Sequence, residues 1–65
     1  MARGRTRNEI LAVAARQFAH AGFQGTSLQD IADEVGCSKA ALLYHFPGKD
    51  AILAEILAPA AAGLA

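Results

Sequence analysis

The sequence predicts an all-α fold, a bundle of three helices joined by tight turns and followed by the start of a fourth, in a chain of 65 residues. Three observations carry this. Hydrophobic residues make up 54% of the chain and aromatics only 6%, a balance that suits helices better than sheets. Apolar residues recur three and four apart in four separate segments. Between the segments stand Gly22, Gly36 and Pro47-Gly48, residues that stop one helix before the next begins. A chain this short holds one small core, so one domain is expected.

In the first segment, from about Thr6 to Ala21, Ile10, Leu11, Ala14 and Phe18 share a side, with Arg7, Arg16 and Gln17 largely off it. Residues 1–5 precede it as a flexible basic arm. Gly22 fits a left-handed position just past the helix end, which sets Phe23 against Phe18 in the hydrophobic contact of a Schellman ending. The start of a second helix is offered twice, by Thr26 with Gln29 three residues on and by Ser27 with Asp30. Leu28, Ile31, Ala32 and Val35 then follow helical spacing, and Gly36 ends the run.

Ser38 caps a third helix, Lys39 to about Phe46, whose Leu42 and Phe46 lie four apart and point inward. Only Gly36 and Cys37 separate Val35 from that cap, and so short a connection makes the second and third helices cross steeply. Leu28, Ile31, Ala32, Val35, Gly36, Cys37, Ser38, Leu42 and Phe46 thus form a helix-turn-helix motif, and residues 6–57 a homeodomain-like domain. A fourth helix runs from about Lys49 to Leu57, with Ile52, Leu53, Ile56 and Leu57 as its apolar stripe, and Pro59 ends or kinks it. Residues 58–65 are alanine-rich and uncharged, and read as a cut edge leading toward a further domain.

Six Lys and Arg balance six Asp and Glu, but their distribution is uneven. Arg3, Arg5, Arg7 and Arg16 cluster early with Glu9, whereas Asp30, Asp33 and Glu34 crowd one later segment, so a positive area and an acidic, water-facing area are both expected. The single cysteine, Cys37, has no partner for a disulfide and is expected to pack against Ala32 as a buried, inert thiol rather than to sense redox state. No His or Cys grouping has metal-ligand spacing, so no metal is expected. Paired carboxylates, a Cys-His couple and a glycine-rich phosphate loop are all missing, which predicts no catalytic residue and no cofactor. No run approaches the roughly 18 apolar residues of a membrane span and no secretory signal is evident, so a cytoplasmic, nucleoid-associated protein without a membrane partner is expected.

At about 1.5 Å per residue the third helix is roughly 12 Å long, close to the width of the B-DNA major groove. With Leu42 and Phe46 inward, Lys39, Ala40, Leu43 and Tyr44 face outward. The small Ala40 and Ala41 let the backbone approach base edges, Lys39 can donate to guanine O6 or N7, and Leu43 can touch a thymine methyl. An ordinary bundle helix is the plainer alternative. Lys39 and Lys49 each stand in the first turn of a helix, where the macrodipole disfavours a cation by ~0.3 to 1 kcal/mol. Neither is therefore expected to serve helix stability; each is expected to meet a phosphate, with a solvated surface lysine as the other reading.

Ser27 or Thr26 can add a hydroxyl and free amides to a phosphate, although capping explains them almost as well. Tyr44 and His45 can donate to phosphate oxygens, against rim packing for the one and a satisfied core histidine for the other. Arg3, Arg5 and Arg7 can track the DNA backbone or enter a minor groove, or simply form a polar terminus. His20 has no assigned role. The rival from another class is a small protein-interaction module using helix four and the alanine-rich tail.

The order of these residues resembles the N-terminal DNA-binding domain of the tetracycline-repressor (TetR) family over about Arg7 to Leu57. The matching pieces are Ile10-Leu11, Ala14 to Phe18, Gly22-Phe23, Thr26-Ser27-Leu28, Asp30-Ile31-Ala32, Gly36-Cys37-Ser38, Leu42, Tyr44-His45-Phe46 and Lys49-Asp50. Each is common alone; their order and spacing together are specific. The resemblance implies a homodimeric repressor that binds double-stranded DNA at a palindromic operator. It also implies release when a small-molecule effector occupies a larger C-terminal domain that this chain lacks. On matching positions it implies DNA contacts by Ser27, Lys39, Ala40, Ala41, Tyr44, His45 and Lys49. The chain departs from the family pattern at Leu43, usually tyrosine, and at Cys37, usually valine. Alone, such a head is expected to engage one half-site weakly, because two spaced heads supply the specificity of dimeric helix-turn-helix proteins.

Overall fold

Four helices follow one another in the computed structural model, α1 (Ala2–Ala21), α2 (Leu28–Val35), α3 (Lys39–His45) and α4 (Lys49–Leu57). The structure describes residues 2–58, with side chains from residue 6 onward. No strand occurs among the described residues, so the all-α expectation holds. α1 begins at Ala2 rather than near Thr6. The backbone of residues 2–5 thus continues the helix where a flexible arm was expected, because Ala and Arg are strong helix formers and Gly4 alone is weak there. The side chains of Arg3 and Arg5 and the tail from Pro59 lie outside the described residues.

Each later helix is fixed at its ends by local chemistry. Gly22 and Gly36 take left-handed φ values of 84° and 89°, which side-chain-bearing residues adopt only with strain. At the end of α1 the Gly22 N–H donates to the Phe18 carbonyl at 2.9 Å, the single-bond left-handed ending, and the Phe18 and Phe23 rings meet at 5.2 Å. The Schellman bond expected there occurs at the end of α2, where the Gly36 and Cys37 N–H groups both donate to the Ala32 carbonyl, at 2.9 and 3.0 Å.

Of the two possible starts for α2, the chain uses Ser27 with Asp30. The Asp30 N–H donates to Ser27 Oγ at 3.0 Å, and the Ser27 N–H donates to Asp30 Oδ2 at 3.2 Å. Ser38 caps α3 by accepting from the Ala41 N–H at 3.0 Å.

Ile10 and Ala14 of α1, Ile31 and Ala32 of α2, Leu42 and Phe46 at α3, and Ile52 of α4 form the buried core. Each fully buried aliphatic side chain contributes about 1.5 to 3 kcal/mol by leaving water. α1 packs against α2 and α4, and α2 against α3. Cys37 packs against this core but is only half-buried, where a buried thiol was expected.

Leu57 does not join the stripe assigned to α4; it is 70% exposed. With Ile52 facing the core, a residue five positions on lies about 140° around the helix, whereas Ile56 lies only about 40° away. Polar links tie the helices across the surface. Gln17 Nε2 donates to Glu34 Oε1 at 2.9 Å and to the Asp30 carbonyl at 3.3 Å, and the Arg16 guanidinium pairs with Glu34.

Gly25, in the loop before α2, sits so close to α1 that a Cβ there would overlap the Ala21 carbonyl oxygen, whereas a Cβ on Gly22 would enter open space. Gly25→Ala should therefore cost more than the left-handed strain of about 1 to 2 kcal/mol expected for Gly22→Ala. Urea unfolding of the two variants side by side checks this; an equal or smaller loss at Gly25 would show that the loop yields freely.

Candidate nucleic-acid interface

α3 is seven residues long, and its orientation is set by the two side chains it buries. Leu42 is wholly inaccessible and Phe46, the residue that ends the helix, is 3% exposed. The helical repeat then turns Lys39, Ala40, Leu43 and Tyr44 outward, all four exposed, with Ala41 and His45 half-buried at the flanks. Tyr44 is 84% exposed and Leu43 39%. Two of the three large hydrophobics exposed among the described residues thus share this one short helix. The Tyr44 ring meets His45 edge to face at 5.3 Å, which holds both side chains at the same end of α3.

The charges are less available than the sequence suggests. Arg16 is neutralised by Glu34. Arg7, expected as part of a DNA-tracking arm, instead pairs with Glu55 of α4 at 3.4 Å and lies 4.9 Å over the Phe46 ring. It is corrected to a strut that links α1 to α4 through Glu55 and to the end of α3 through Phe46. Lys49 is also engaged. Its Nζ donates to the Phe23 carbonyl at 2.6 Å and the Thr26 carbonyl at 2.7 Å, and sits 4.3 Å from the centre of the Phe23 ring.

Lys49 thus has a partner inside the protein that neither the phosphate reading nor the solvated-lysine reading supplied. The loop between α1 and α2 presents two carbonyls at the start of α4, and these more than offset the macrodipole. One N–H of the ammonium remains for another acceptor. Among the described side chains, Lys39 is the only Lys or Arg with no hydrogen bond or ion pair.

Thr26 is a second correction. It is 2% exposed, and its hydroxyl donates to the Gly22 carbonyl at 2.9 Å, with the Gln17 carbonyl 3.3 Å away. A buried hydroxyl so occupied cannot reach a phosphate. Its neighbour Ser27 is exposed, and its oxygen accepts from Asp30 while its own hydrogen stays available. The acidic segment faces water as expected, with Asp30, Asp33 and Glu34 all exposed, and it also makes bonds: Asp30 closes the cap, Asp33 accepts from Gln29 at 2.8 Å and Glu34 binds α1.

An open groove of about 360 Å³ lies between the end of α1 and α2, bordered by Arg16, Gln17, His20, Asp30 and Glu34. Its strongest charges, Arg16 and Glu34, satisfy each other. No group of three metal-binding side chains occurs among the described residues, and no helix there is long and apolar enough to cross a membrane.

The family model described as "Bacterial regulatory proteins, tetR family" matches residues 10–56, from the buried Ile10 of α1 to Ile56 of α4. The chain belongs to the TetR family. What it supplies is the helix-turn-helix DNA-binding domain of these transcriptional regulators, a group of proteins that are not enzymes. It is 46% identical over 48 residues to the HTH-type transcriptional regulator RutR of Escherichia coli K12, covering 74% of this chain and 23% of that protein. It is 41% identical over 51 residues to the HTH-type transcriptional repressor KstR2 of Rhodococcus jostii, covering 78% of this chain and 25% of the relative.

The crystal structure of an HlyIIR mutant superposes with a TM-score of 0.79 at 37% identity, over 83% of this chain and 30% of that one. The chain therefore spans about a quarter of the length of the curated TetR-family relatives it matches.

Thr26→Val preserves the shape of the side chain and removes its hydroxyl. The change should lower the unfolding free energy by about 1 to 3 kcal/mol. Chemical denaturation reads the difference, and an unchanged midpoint would mean that the buried hydroxyl is idle.

Proposed function

We propose that this TetR-family domain reads one half of a palindromic operator in double-stranded DNA by laying α3 in the major groove. In the intact regulator two such heads act as a homodimeric, cytoplasmic, nucleoid-associated repressor released by a small-molecule effector bound elsewhere in the protein. The observation that carries the reading is the outer face of α3. Lys39, the uncommitted cation among the described side chains, stands there beside Ala40, Leu43 and the largely exposed Tyr44.

Lys39 would donate to guanine, Leu43 would touch a thymine methyl, and Ala40 with Ala41 would let the backbone come close to base edges. Ser27, Tyr44, His45 and the remaining N–H of Lys49 would hold phosphates on either side and fix the register. Repression as the mode of control is supported by the likeness to KstR2, a transcriptional repressor. The shortness of α3 supports a two-headed arrangement, since seven residues reach only a few base pairs and a single head discriminates poorly.

Selection from random duplexes should recover a preferred half-site. On that site Lys39→Ala should relax discrimination at one base pair by about 1 to 3 kcal/mol and leave the others alone. Competition titrations with singly substituted duplexes measure this. Undiminished discrimination at every position would remove Lys39 from the reading of bases. Failure to recover any site, together with binding of a protein along α4, would favour an interaction module instead.

A further inference from the structure

We infer that Lys49 is a positioning residue for DNA reading, holding the start of α2 in fixed register with α3 quite apart from any phosphate it meets. The inference rests on the operator reading above and adds to it a device inside the protein. Lys49 opens α4 just after Phe46 and Pro47 close the helix-turn-helix unit, and Thr26 lies immediately before the Ser27 that opens that unit. The ammonium therefore joins the two ends of the unit, donating at 2.7 Å to the Thr26 carbonyl and at 2.6 Å to that of Phe23, across 23 and 26 residues of chain.

Both bonds are charge-assisted and part-buried, the kind that holds geometry most firmly. The seat is itself braced. The Phe23 ring beneath the ammonium, at 4.3 Å, packs on Phe18 at 5.2 Å, and the Thr26 hydroxyl is fixed to the Gly22 carbonyl at 2.9 Å. Ser27 and the first amides of α2 thus stand where they do relative to α3 because Lys49 ties the loop that carries them.

Without that tie the start of α2 samples other positions, and only the fraction of molecules in register binds DNA, so affinity falls by that fraction. A phosphate contact acts differently. It changes the slope of log affinity against log salt by about one, and its effect vanishes on extrapolation to about 1 M salt. The two roles can therefore be separated in one experiment.

Fluorescence anisotropy over a range of salt, with the 65-residue chain and the duplex recovered by selection, compares the unsubstituted protein with Lys49→Met and Phe23→Leu. All are measured at a temperature where circular dichroism shows them fully folded. Lys49→Met should lower the affinity extrapolated to about 1 M salt by about 10-fold, besides any change of slope. Phe23→Leu alters no charge and should lower it about 3-fold at an unchanged slope, as expected for losing a cation–π seat. It also serves if Lys49→Met does not fold.

Lines for Lys49→Met and the unsubstituted protein that differ in slope but meet at high salt would overturn the inference and leave a phosphate contact alone. So would an unaltered extrapolated affinity for Phe23→Leu when Lys49→Met is unfolded. If the unsubstituted chain shows no sequence preference at all, the operator reading itself falls, and this inference with it.

Discussion

The two residues between α2 and α3 constrain everything else in this domain. Gly36 turns the chain through a left-handed conformation, and the N–H groups of Gly36 and Cys37 converge on one carbonyl, that of Ala32. The chain then leaves α2 in a fixed direction. Ser38 at once caps the next helix on the Ala41 N–H, so neither the start nor the axis of α3 is free. Leu42 and Phe46 follow into the core, and the remaining face is presented to solvent as a matter of helical geometry. A shift of one residue in that connection would rotate α3 by about 100° and change which side chains face outward.

Around this hinge the core is small, and polar links do much of the orienting. Arg7, Arg16 and Lys49 are all committed to the protein itself, to Glu55, to Glu34 and to the carbonyls before α2. Exposed ion pairs add little to stability, since each is worth about 0 to 1 kcal/mol, but they fix relative placement. The consequence is that a balanced net charge does not translate into a broadly cationic surface. The described part of the domain offers few uncommitted positive groups, which suits recognition by shape and local contacts more than indiscriminate adhesion to DNA.

How much of this was legible in the sequence follows from the range of each interaction. The ends of α2, α3 and α4, the left-handed glycines and the inward pair Leu42 and Phe46 are local features, written within four residues of one another. The outward set on α3 followed from them. The cap of α2 stayed open between Thr26 and Ser27 because both offer a hydroxyl at a workable spacing. What separates them is the fold-back of the loop onto α1, which buries Thr26 and leaves Ser27 exposed.

The internal partners of Lys49 and Arg7 are not legible in the sequence, for one shared reason. Their partners lie far along the chain, and no pattern within a helix points to Phe23, Thr26 or Glu55. Gln17 reads from the sequence only as a residue off the apolar side of the first helix, until α2 is laid beside it and its amide meets Glu34. Leu57 was assigned to the apolar stripe by composition, while the angle from Ile52 turns it to solvent.

The brevity of α3 has one more implication. Seven residues lie well below the length at which a helix persists in water by itself, roughly 12 to 15 residues. The element offered to the groove is therefore a by-product of the folded core, and it melts when Leu42 and Phe46 let go. In a domain of this size such melting is cooperative, so warmth or crowding that shifts the folding balance acts directly on the fraction of competent readers. The availability of the outer face of α3 is bound to the integrity of the whole domain.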